Sequence, residues 1–427
     1  MEEWKRTEPD LVIYVPADEG RDETNQHFNA VATPAGTFVA TWTTATREAD
    51  PDQRVVFSRS TDRGRTWTEP RIIDGARRDD PPGTGMASWQ FLVVARGVLP
   101  EGGTRIWCFY NKNLGVDDAR AADTGVLRCK WSDNDGDTWS EETFDYPIEP
   151  NAISNPDPSV PPIWIVYQNP GTTPEGAVLA GFTRWASNAV DPGIGMLERD
   201  SEVCFLRFEN ILTEPDPSKL VVTTWPKSPH GLRVESPFRP GISVAQEPTT
   251  QALSDGRLVC VFRTLTGRIW QSISRDDGRS WDEPRPLLYE PGGNEVLNPC
   301  APCPLYKLSD GRFLLVFYNN DGSGHGGQGP TDAVNVRNPA WITIGQEIEG
   351  EKVHPIRFGR PKVFAHTQWI TAPGTNRTQV ATYCSFVEDR GERLIFYPDR
   401  KRYLLAKRVT EDILDRRADS SARIVSI

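Results

Sequence analysis

The sequence predicts an all-β protein assembled from about six copies of a strand-rich unit. The 35 glycines and 36 prolines are scattered along all 427 residues, which is typical of many short strands joined by turns. A polar hairpin motif ending in tryptophan recurs at a fixed spacing. Aromatic residues make up 10% of the chain, a load that supports a packed core and argues against disorder.

The recurring motif reads S-x-D/N-x-G-x-S/T-W. Its three copies are Ser60–Trp67, Ser132–Trp139 and Ser274–Trp281. They begin 72 and then 142 residues apart, and 142 is twice 71. One further step of 72 residues reaches a decayed copy, Gln346–Val353, which keeps Gly350. A period of this length fits into the chain about six times, and such periods indicate a propeller or a solenoid.

Each copy follows an alternating apolar run, so we expect it to close a β-hairpin. The Ser and Asp side chains can accept hydrogen bonds from backbone amides across the turn. The glycine allows a positive φ, and the tryptophan packs back under the hairpin. We therefore expect Trp67, Trp139 and Trp281 to be buried at equivalent positions.

This motif is the Asp-box, or BNR repeat, and the chain resembles the sialidase (neuraminidase) superfamily over nearly its whole length. The resemblance implies an all-β, six-bladed β-propeller of sialidase type, with Asp-box hairpins at the outer rim. We expect one domain over residues 1–427 and a short C-terminal helix over Thr410–Arg417. Propellers of this type also serve as binding modules, so the fold by itself does not establish an enzyme.

Glu247 and Arg263 lie at the far ends of two predicted strands joined by an Asp-Gly turn. Antiparallel pairing brings both charges to the same end of the hairpin. By the resemblance, Glu247 is the base toward a catalytic tyrosine, and Arg263 is one of three arginines that bind the substrate carboxylate. Arg337, after a glycine-rich loop, matches another of the three. The alternative is a surface ion pair at a blade edge.

Tyr383 lies in a predicted strand of the last blade, Val380–Phe386. The resemblance implies that this tyrosine is the nucleophile. A neutral phenol avoids the repulsion that a carboxylate nucleophile meets at an anomeric carbon bearing a carboxylate. The alternative is an ordinary core tyrosine.

The first blade departs from the family pattern. Gln26, with His27 beside it, stands where the first of the three arginines is expected. Arg47, in the next loop, is the candidate to replace the missing charge. If Arg47 instead faces solvent while Gln26 and His27 line the pocket, a neutral sugar or a differently placed acidic group is favoured. If Arg47 reaches the cleft, an acidic sugar remains the expected substrate. The incomplete set predicts weak activity on sialosides if nothing replaces the missing arginine.

The loop after the next strand matches the position of the family's acid/base aspartate. Asp50 or Asp52 could fill that role, and so could Glu48. Trp89 and Gln90 are candidates to bind sugar hydroxyls by stacking and hydrogen bonding.

Net charge, hydropathy and cysteine content argue against several classes of protein. The net charge of −11 argues against a sequence-independent nucleic-acid binder, and no apolar run reaches the ~18 residues of a membrane helix. The seven cysteines read as reduced, buried thiols. Cys300 and Cys303 form a CxxC pair with no further ligand close in sequence, so we expect no metal site and no cofactor.

The leading hypothesis is an exo-acting, retaining glycoside hydrolase that removes a terminal acidic, sialic-acid-like sugar from oligosaccharides or glycoconjugates. One alternative is a propeller glycosidase or a lyase for another terminal sugar, such as rhamnose, arabinose or a uronic acid, with His27 used by the lyase. Another is a non-catalytic carbohydrate-binding propeller. The first six residues lack the apolar region of a secretory signal, which favours a cytoplasmic location, or a secreted one if the start was trimmed.

Overall fold

Six antiparallel sheets make up the computed structural model, which describes residues 2–17, 22–76 and 85–415. Each sheet has four or five strands and forms one blade of a β-propeller. The predicted six-bladed propeller is thereby confirmed. None of the helices in the described ranges has the length and apolar character that crossing a bilayer requires.

The strands follow the chain around the ring. The first, β1 (Leu11–Tyr14), belongs to the last blade. Blade 1 contains β2 (Thr24–Ala32), β3 (Phe38–Ala45), β4 (Arg54–Ser60) and β5 (Arg71–Gly75). Blade 2 contains β6 (Ala87–Ala95), β7 (Arg105–Lys112), β8 (Val126–Ser132) and β9 (Phe144–Tyr146). Blade 3 contains β10 (Ile163–Ile165), β11 (Gly171–Thr172), β12 (Val178–Trp185), β13 (Ser201–Phe208) and β14 (Val222–Trp225).

The remaining blades follow the same order. Blade 4 contains β15 (Ala245–Ala252), β16 (Leu258–Thr264), β17 (Ile269–Ser274) and β18 (Arg285–Pro286). Blade 5 contains β19 (Leu305–Lys307), β20 (Phe313–Phe317), β21 (Ala340–Glu347), β22 (Ile356–Phe358) and β23 (Lys362–Ala365). Blade 6 contains β24 (Ser385–Asp389), β25 (Glu392–Asp399) and β26 (Tyr403–Arg408). The helices are α1 (Glu411–Leu414) and 3₁₀ turns at Glu3–Lys5, Pro100–Gly102 and Pro217–Lys219.

The ring closes through β1, which pairs antiparallel with β26 as the fourth strand of blade 6. Six clusters of buried apolar side chains complete the closure, one between each pair of neighbouring blades. Between blades 6 and 1, for example, the Phe28 and Phe396 rings meet edge to face at 5.8 Å. The core is therefore distributed between the blades, and each blade depends on both neighbours for its burial.

The Asp-boxes join the third and fourth strands of blades 1, 2 and 4, at the outer part of each sheet. In the first, Ser60 Oγ accepts from the Gly64 N–H at 2.7 Å and Asp62 accepts from the Thr66 N–H at 2.9 Å. Gly64 has a φ of 84°. The expected turn chemistry is present. Gly350 of the decayed copy also has a positive φ, 75°, in the turn between β21 and β22.

The three Asp-box tryptophans occupy equivalent positions, as expected, but they are half-buried, so the expectation that they are buried was wrong. Each ring packs against a phenylalanine of the preceding blade instead of lying wholly under its own hairpin. Trp67 meets Phe396 at 6.1 Å, and Trp281 stacks on Phe205 at 4.4 Å. The motif therefore helps to join blades as well as to turn the chain.

We expect Gly278→Ala to destabilise the fold more than Gly256→Ala. Both glycines have a φ of 87°, so both substitutions carry the left-handed strain of about 1–2 kcal/mol. A Cβ at position 278 would also lie 2.7 Å from Leu179 of the preceding blade, whereas position 256 has no heavy atom within 4 Å. Overpacking adds about 1–3 kcal/mol at position 278 alone. Urea unfolding of both variants measures the difference, and equal losses would contradict the inter-blade role of the motif.

Several expected elements differ from those observed. The predicted strand Val380–Phe386 was wrong, because Ala381 and Tyr383 have positive φ and the strand β24 begins only at Ser385. The short outermost strands went unpredicted, since two to five residues give little alternation; β14 lies in a proline-rich stretch that reads as a loop. The C-terminal helix is shorter than expected, and residues 416–417 lie outside the described residues. All seven cysteines are buried and free, as predicted.

Candidate functional site

The innermost strands of three blades are interrupted at equivalent points near one mouth of the ring. The pairing register of β2, β6 and β15 shifts between Gln26 and Asn29, Ser88 and Phe91, and Gln246 and Thr249. Each break contains one non-glycine residue with positive φ: His27 (53°), Trp89 (57°) and Glu247 (53°). Such bulges redirect a side chain at a cost of roughly 1–3 kcal/mol, and they cluster at functional sites.

The redirected side chains meet around Tyr383, which itself has a φ of 68°. The Tyr383 hydroxyl donates a hydrogen bond to Glu247 Oε1 at 2.9 Å. The His27 ring lies 4.0 Å from the Tyr383 ring and 4.4 Å from the Trp89 ring, between centroids. Side chains from blades 1, 2, 4 and 6 therefore converge on one point, and the expected contact between Tyr383 and Glu247 is present.

Two arginines adjoin this pair. Arg263 Nη1 lies 2.8 Å from Glu247 Oε2, and the rest of its guanidinium donates to Gln246 Oε1. Arg337 donates from Nη2 to the carbonyl of Cys300. The Glu247 and Arg263 side chains are 1% and 3% exposed, which rules out a surface ion pair at a blade edge.

The surroundings keep the tyrosine neutral. Burial, reinforced by the nearby charge of Glu247, raises the pKa of Tyr383 far above its ordinary value despite the opposing charges of Arg263 and Arg337. A neutral phenol needs a base when it attacks, and Glu247 already accepts its proton in a hydrogen bond.

Several buried polar atoms at this mouth have no hydrogen-bond partner among the described residues. They are Gln26 Nε2 and Oε1, His27 Nδ1 and Arg337 Nε. Native proteins leave few such groups unsatisfied unless the groups serve a ligand or a reaction. Burial, followed by the charge of Lys401, holds the pKa of His27 well below its usual range, so its ring is neutral.

The acidic loop does not bring Asp52 to the tyrosine. Both Asp52 carboxylate oxygens accept from the Thr46 N–H at 3.1 Å, and one also accepts from the Thr46 hydroxyl. The Asp50 carboxylate forms no hydrogen bond or ion pair with a described residue. Asp52 is therefore engaged in holding the loop. The placement of Asp50 at the site stays a prediction.

Glu48 is the acid of this loop that joins the central cluster. Its carboxylate lies 2.8 Å from Lys401 Nζ and 3.8 Å from Arg377 Nη2. Lys401 Nζ in turn lies 5.4 Å from the centroid of the Tyr383 ring. Sequence reasoning missed Lys401 and Arg377, because neither lies in a motif. Lys401 reaches the site from the turn between β25 and β26, and Arg377 from the segment that connects β23 of blade 5 with β24 of blade 6.

Arg47 is exposed and forms no ion pair with a described residue, so it does not bring its charge to Tyr383. It contributes instead to a cavity of about 510 Å³ just outside the cluster. The cavity is lined by Glu23, Thr24, Thr46, Arg47, Glu48, Gly374, Thr375, Asn376 and Arg377. The cations whose charge acts on His27, at the gap in blade 1, are Lys401 of the last blade and Arg120 of blade 2.

The side chains of Trp89 and Gln90 contact other protein groups and not the open cavity, which differs from the sugar-binding role expected of them. Gln90 donates from Nε2 to the His27 carbonyl and accepts from the Thr43 hydroxyl, so it holds the bulge of blade 1. The Trp89 side chain is 1% exposed and donates to the Ala122 carbonyl. The Trp89 ring packs against the His27 ring. Arg120, which sequence reasoning also missed, lies 5.8 Å from the Trp89 ring.

Residues 36–352 match the family model described as a BNR repeat-like domain. The chain belongs to the BNR repeat-like family. The BNR assignment made from the three hairpins is confirmed, and the match runs from the turn before β3 in blade 1 to the turn after β21 in blade 5. No curated protein sequence matches this BNR repeat-like protein.

Solved structures share its propeller fold. The Hadza microbial sialidase Hz136 aligns with a TM-score of 0.61 at 17% identity, covering 93% of this chain and 67% of that one. The leech intramolecular trans-sialidase gives 0.58 at 15% identity, with 94% and 70% covered. The intramolecular trans-sialidase from Ruminococcus gnavus gives 0.56 at 16% identity, with 94% and 97% covered. The sialidase-type fold is thus shown over nearly the whole chain.

Proposed function

We propose that this BNR repeat-like protein is an exo-acting, retaining glycosidase that removes a terminal acidic sugar. The observation that carries the proposal is the hydrogen bond from Tyr383 to Glu247, buried at the mouth of the ring and surrounded by cations. A nucleophile hydrogen-bonded to its base, with the base contacted by a third group, is the arrangement that covalent catalysis requires.

The chemistry of the pair favours an acidic substrate. Tyr383 attacks as a neutral phenol and passes its proton to Glu247, so no carboxylate has to approach a negatively charged sugar. Arg263 and Arg337 supply fixed positive charge beside the tyrosine for the carboxylate of the sugar. The unpartnered atoms of Gln26 and His27 are suited to bind hydroxyl groups.

Burial at the site supports an exo mode. Tyr383 and Glu247 are 6% and 1% exposed, so a chain interior has no open groove across them. The cavity bordered by Glu48 and Arg377 gives room on the outer side for the remainder of the substrate. We infer that a single terminal residue enters the cluster while the aglycone stays in this cavity.

The experiment is a panel of aryl glycosides of sialic acid, ketodeoxy sugars, uronic acids, rhamnose and arabinose. We expect turnover of an acidic member of the panel with retention of anomeric configuration. NMR of the first-formed product determines that configuration. Sialosides should be slow, because Gln26 and neutral His27 replace a cation at the first-blade position. Turnover of neutral glycosides alone would contradict the acidic-sugar assignment, and binding without turnover would favour a lectin-like role.

A uronic-acid lyase is the second candidate, favoured by one observation. The neutral His27 ring lies 4.0 Å from Tyr383, and its Nδ1 has no partner among the described residues. A neutral imidazole and a tyrosine can act as base and acid in β-elimination. An ultraviolet-absorbing unsaturated product from an acidic polysaccharide, abolished in His27→Asn, would decide for the lyase.

A further inference from the structure

A strained hairpin turn carries Lys401 into the cluster. Arg400 and Lys401 are the two central residues of the turn Asp399–Arg402, with φ values of 53° and 52°, and the Arg402 N–H donates to the Asp399 carbonyl at 3.0 Å. Two consecutive positive φ values suit Asn-Gly sequences in tight hairpins, not Arg-Lys. A buried, strained lysine beside a nucleophile indicates a role beyond closing the turn.

Lys401 is 5% exposed, and its backbone carbonyl accepts from the Asn25 N–H of blade 1. Its ammonium group lies 2.8 Å from Glu48 Oε2 and over the Tyr383 ring at 5.4 Å. Two further charges, those of Arg377 and Arg337, lower the pKa of Lys401. The charge of Lys401 in turn lowers the pKa of the neutral His27. The ammonium therefore stands between the nucleophile and the acidic loop.

Glu48 itself is a poor proton donor. Its partial burial favours the neutral acid, but Lys401, Arg120 and Arg377 outweigh that effect and hold the pKa of Glu48 far below its usual value. The carboxylate is ionised at neutral pH and has no proton to give. Asp52 is bonded to Thr46, and the Asp50 carboxylate forms no bond with a described residue of the cluster. Among the groups in contact with the cluster, the ammonium group of Lys401 is therefore the proton source.

We propose that Lys401 is the general acid and base of the reaction, with ionised Glu48 as the positioning residue that holds its ammonium group. The proposal rests on the proposed glycosidase function and deepens it. Its basis is geometric: one buried ammonium lies over the tyrosine ring and is held by Glu48, a carboxylate that also lines the aglycone cavity.

The two half-reactions balance. In the first, the Tyr383 oxygen bonds to the anomeric carbon and its proton passes to Glu247. The bond to the aglycone oxygen breaks, and that oxygen keeps the electron pair and takes a proton from Lys401. In the second, the neutral Lys401 amine takes a proton from water, whose oxygen attacks the anomeric carbon. The bond to Tyr383 breaks, and the phenol regains its proton from Glu247.

The pKa of Lys401 suits a group that acts as both general acid and general base. Burial lowers the pKa of Lys401 to about 8, assisted by Arg377 and Arg337 and opposed by Glu48. A lysine with a pKa this close to neutrality exchanges a proton readily in both directions. Because the first half-reaction needs the protonated form, kcat/KM should fall as the pH rises through about 8.

The test compares Lys401→Met and Lys401→Arg with the wild type on aryl glycosides of the sugar that the panel identifies. A methoxyphenyl leaving group needs a proton from a general acid to depart, whereas a dinitrophenyl group departs readily without one. We expect both variants to lose on the order of 10²-fold or more in kcat/KM on the methoxyphenyl substrate and little on the dinitrophenyl one. Both should also lose the decline above about pH 8.

Lys112→Met is the matched control, because Lys112 is a largely buried lysine that lies 2.8 Å from Asp74, away from Tyr383. It should keep the wild-type dependence on the leaving group. Rescue by Lys401→Arg would show that only charge matters and would overturn the proton-donor role. An unchanged leaving-group dependence in Lys401→Met, with an active wild type, overturns this inference alone. A wild type inactive on every glycoside overturns the proposed function and this inference together.

Discussion

Replacing Tyr383 by phenylalanine is expected to lower kcat on the order of 10³-fold while the propeller stays folded. The substitution removes one oxygen, which donates to Glu247 at 2.9 Å and is the proposed nucleophile. The ring still packs against His27 at 4.0 Å, so the cluster keeps its shape. Steady-state kinetics on the active aryl glycoside and thermal unfolding measure the two effects.

Tyr110→Phe is the control for this loss. The Tyr110 hydroxyl also donates to a carboxylate, Asp74, at 2.7 Å in a buried setting, but Asp74 pairs with Lys112 away from the mouth. Both variants should lose about 1 kcal/mol of stability, the usual range for one hydrogen bond, or somewhat more for a charged partner. Only Tyr383→Phe should lose activity. A Tyr383→Phe variant with wild-type kcat would remove the nucleophile assignment.

Arg263→Met is expected to produce the largest loss of stability, about 3–5 kcal/mol. The substitution leaves Glu247 buried, 1% exposed, without the guanidinium that lies 2.8 Å from its carboxylate. Gln246 Oε1 also loses two donors. Urea unfolding gives the free energy, and activity should fall with it, since the same arginine is proposed to bind the sugar carboxylate.

The double variant Arg263→Met/Glu247→Gln separates the two causes. Removing the carboxylate charge together with the arginine should recover most of the stability, because no uncompensated buried charge remains. Activity should stay lost, since the double variant lacks the proposed base. Equal instability of the single and double variants would show that packing, and not the buried charge, accounts for the loss.

How far the site could be predicted depended on sequence separation. Glu247 and Arg263 were placed together correctly, because one hairpin brings both to the same end and short-range pairing follows from the alternation of apolar residues. The hydrogen bond from Tyr383 to Glu247 spans 136 residues, and it was expected only through the family resemblance. The acid/base candidates were placed less well, because a solvent-facing loop leaves the direction of each carboxylate undetermined.

Lys401 shows why the remainder could not be predicted. Its contact with Glu48 joins residues 353 positions apart, and it exists because the ring closes blade 6 against blade 1. The Arg-Lys turn also lacks the residues that signal two positive φ values. The same applies to Trp89 and Tyr383, whose left-handed backbone no local propensity favours.

The sequence by itself determined the three hairpins, the all-β class and the glutamate–arginine hairpin, because each depends on interactions within about twenty residues. The repeat period followed from the recurrence of the hairpin motif along the chain. The tertiary structure alone decided that Glu48 and not Asp52 joins the cluster, that Arg47 stays outside it and that a lysine of the last blade adjoins the gap in the first. These outcomes depend on burial and charge summed across several blades, which the ring imposes and no single segment encodes.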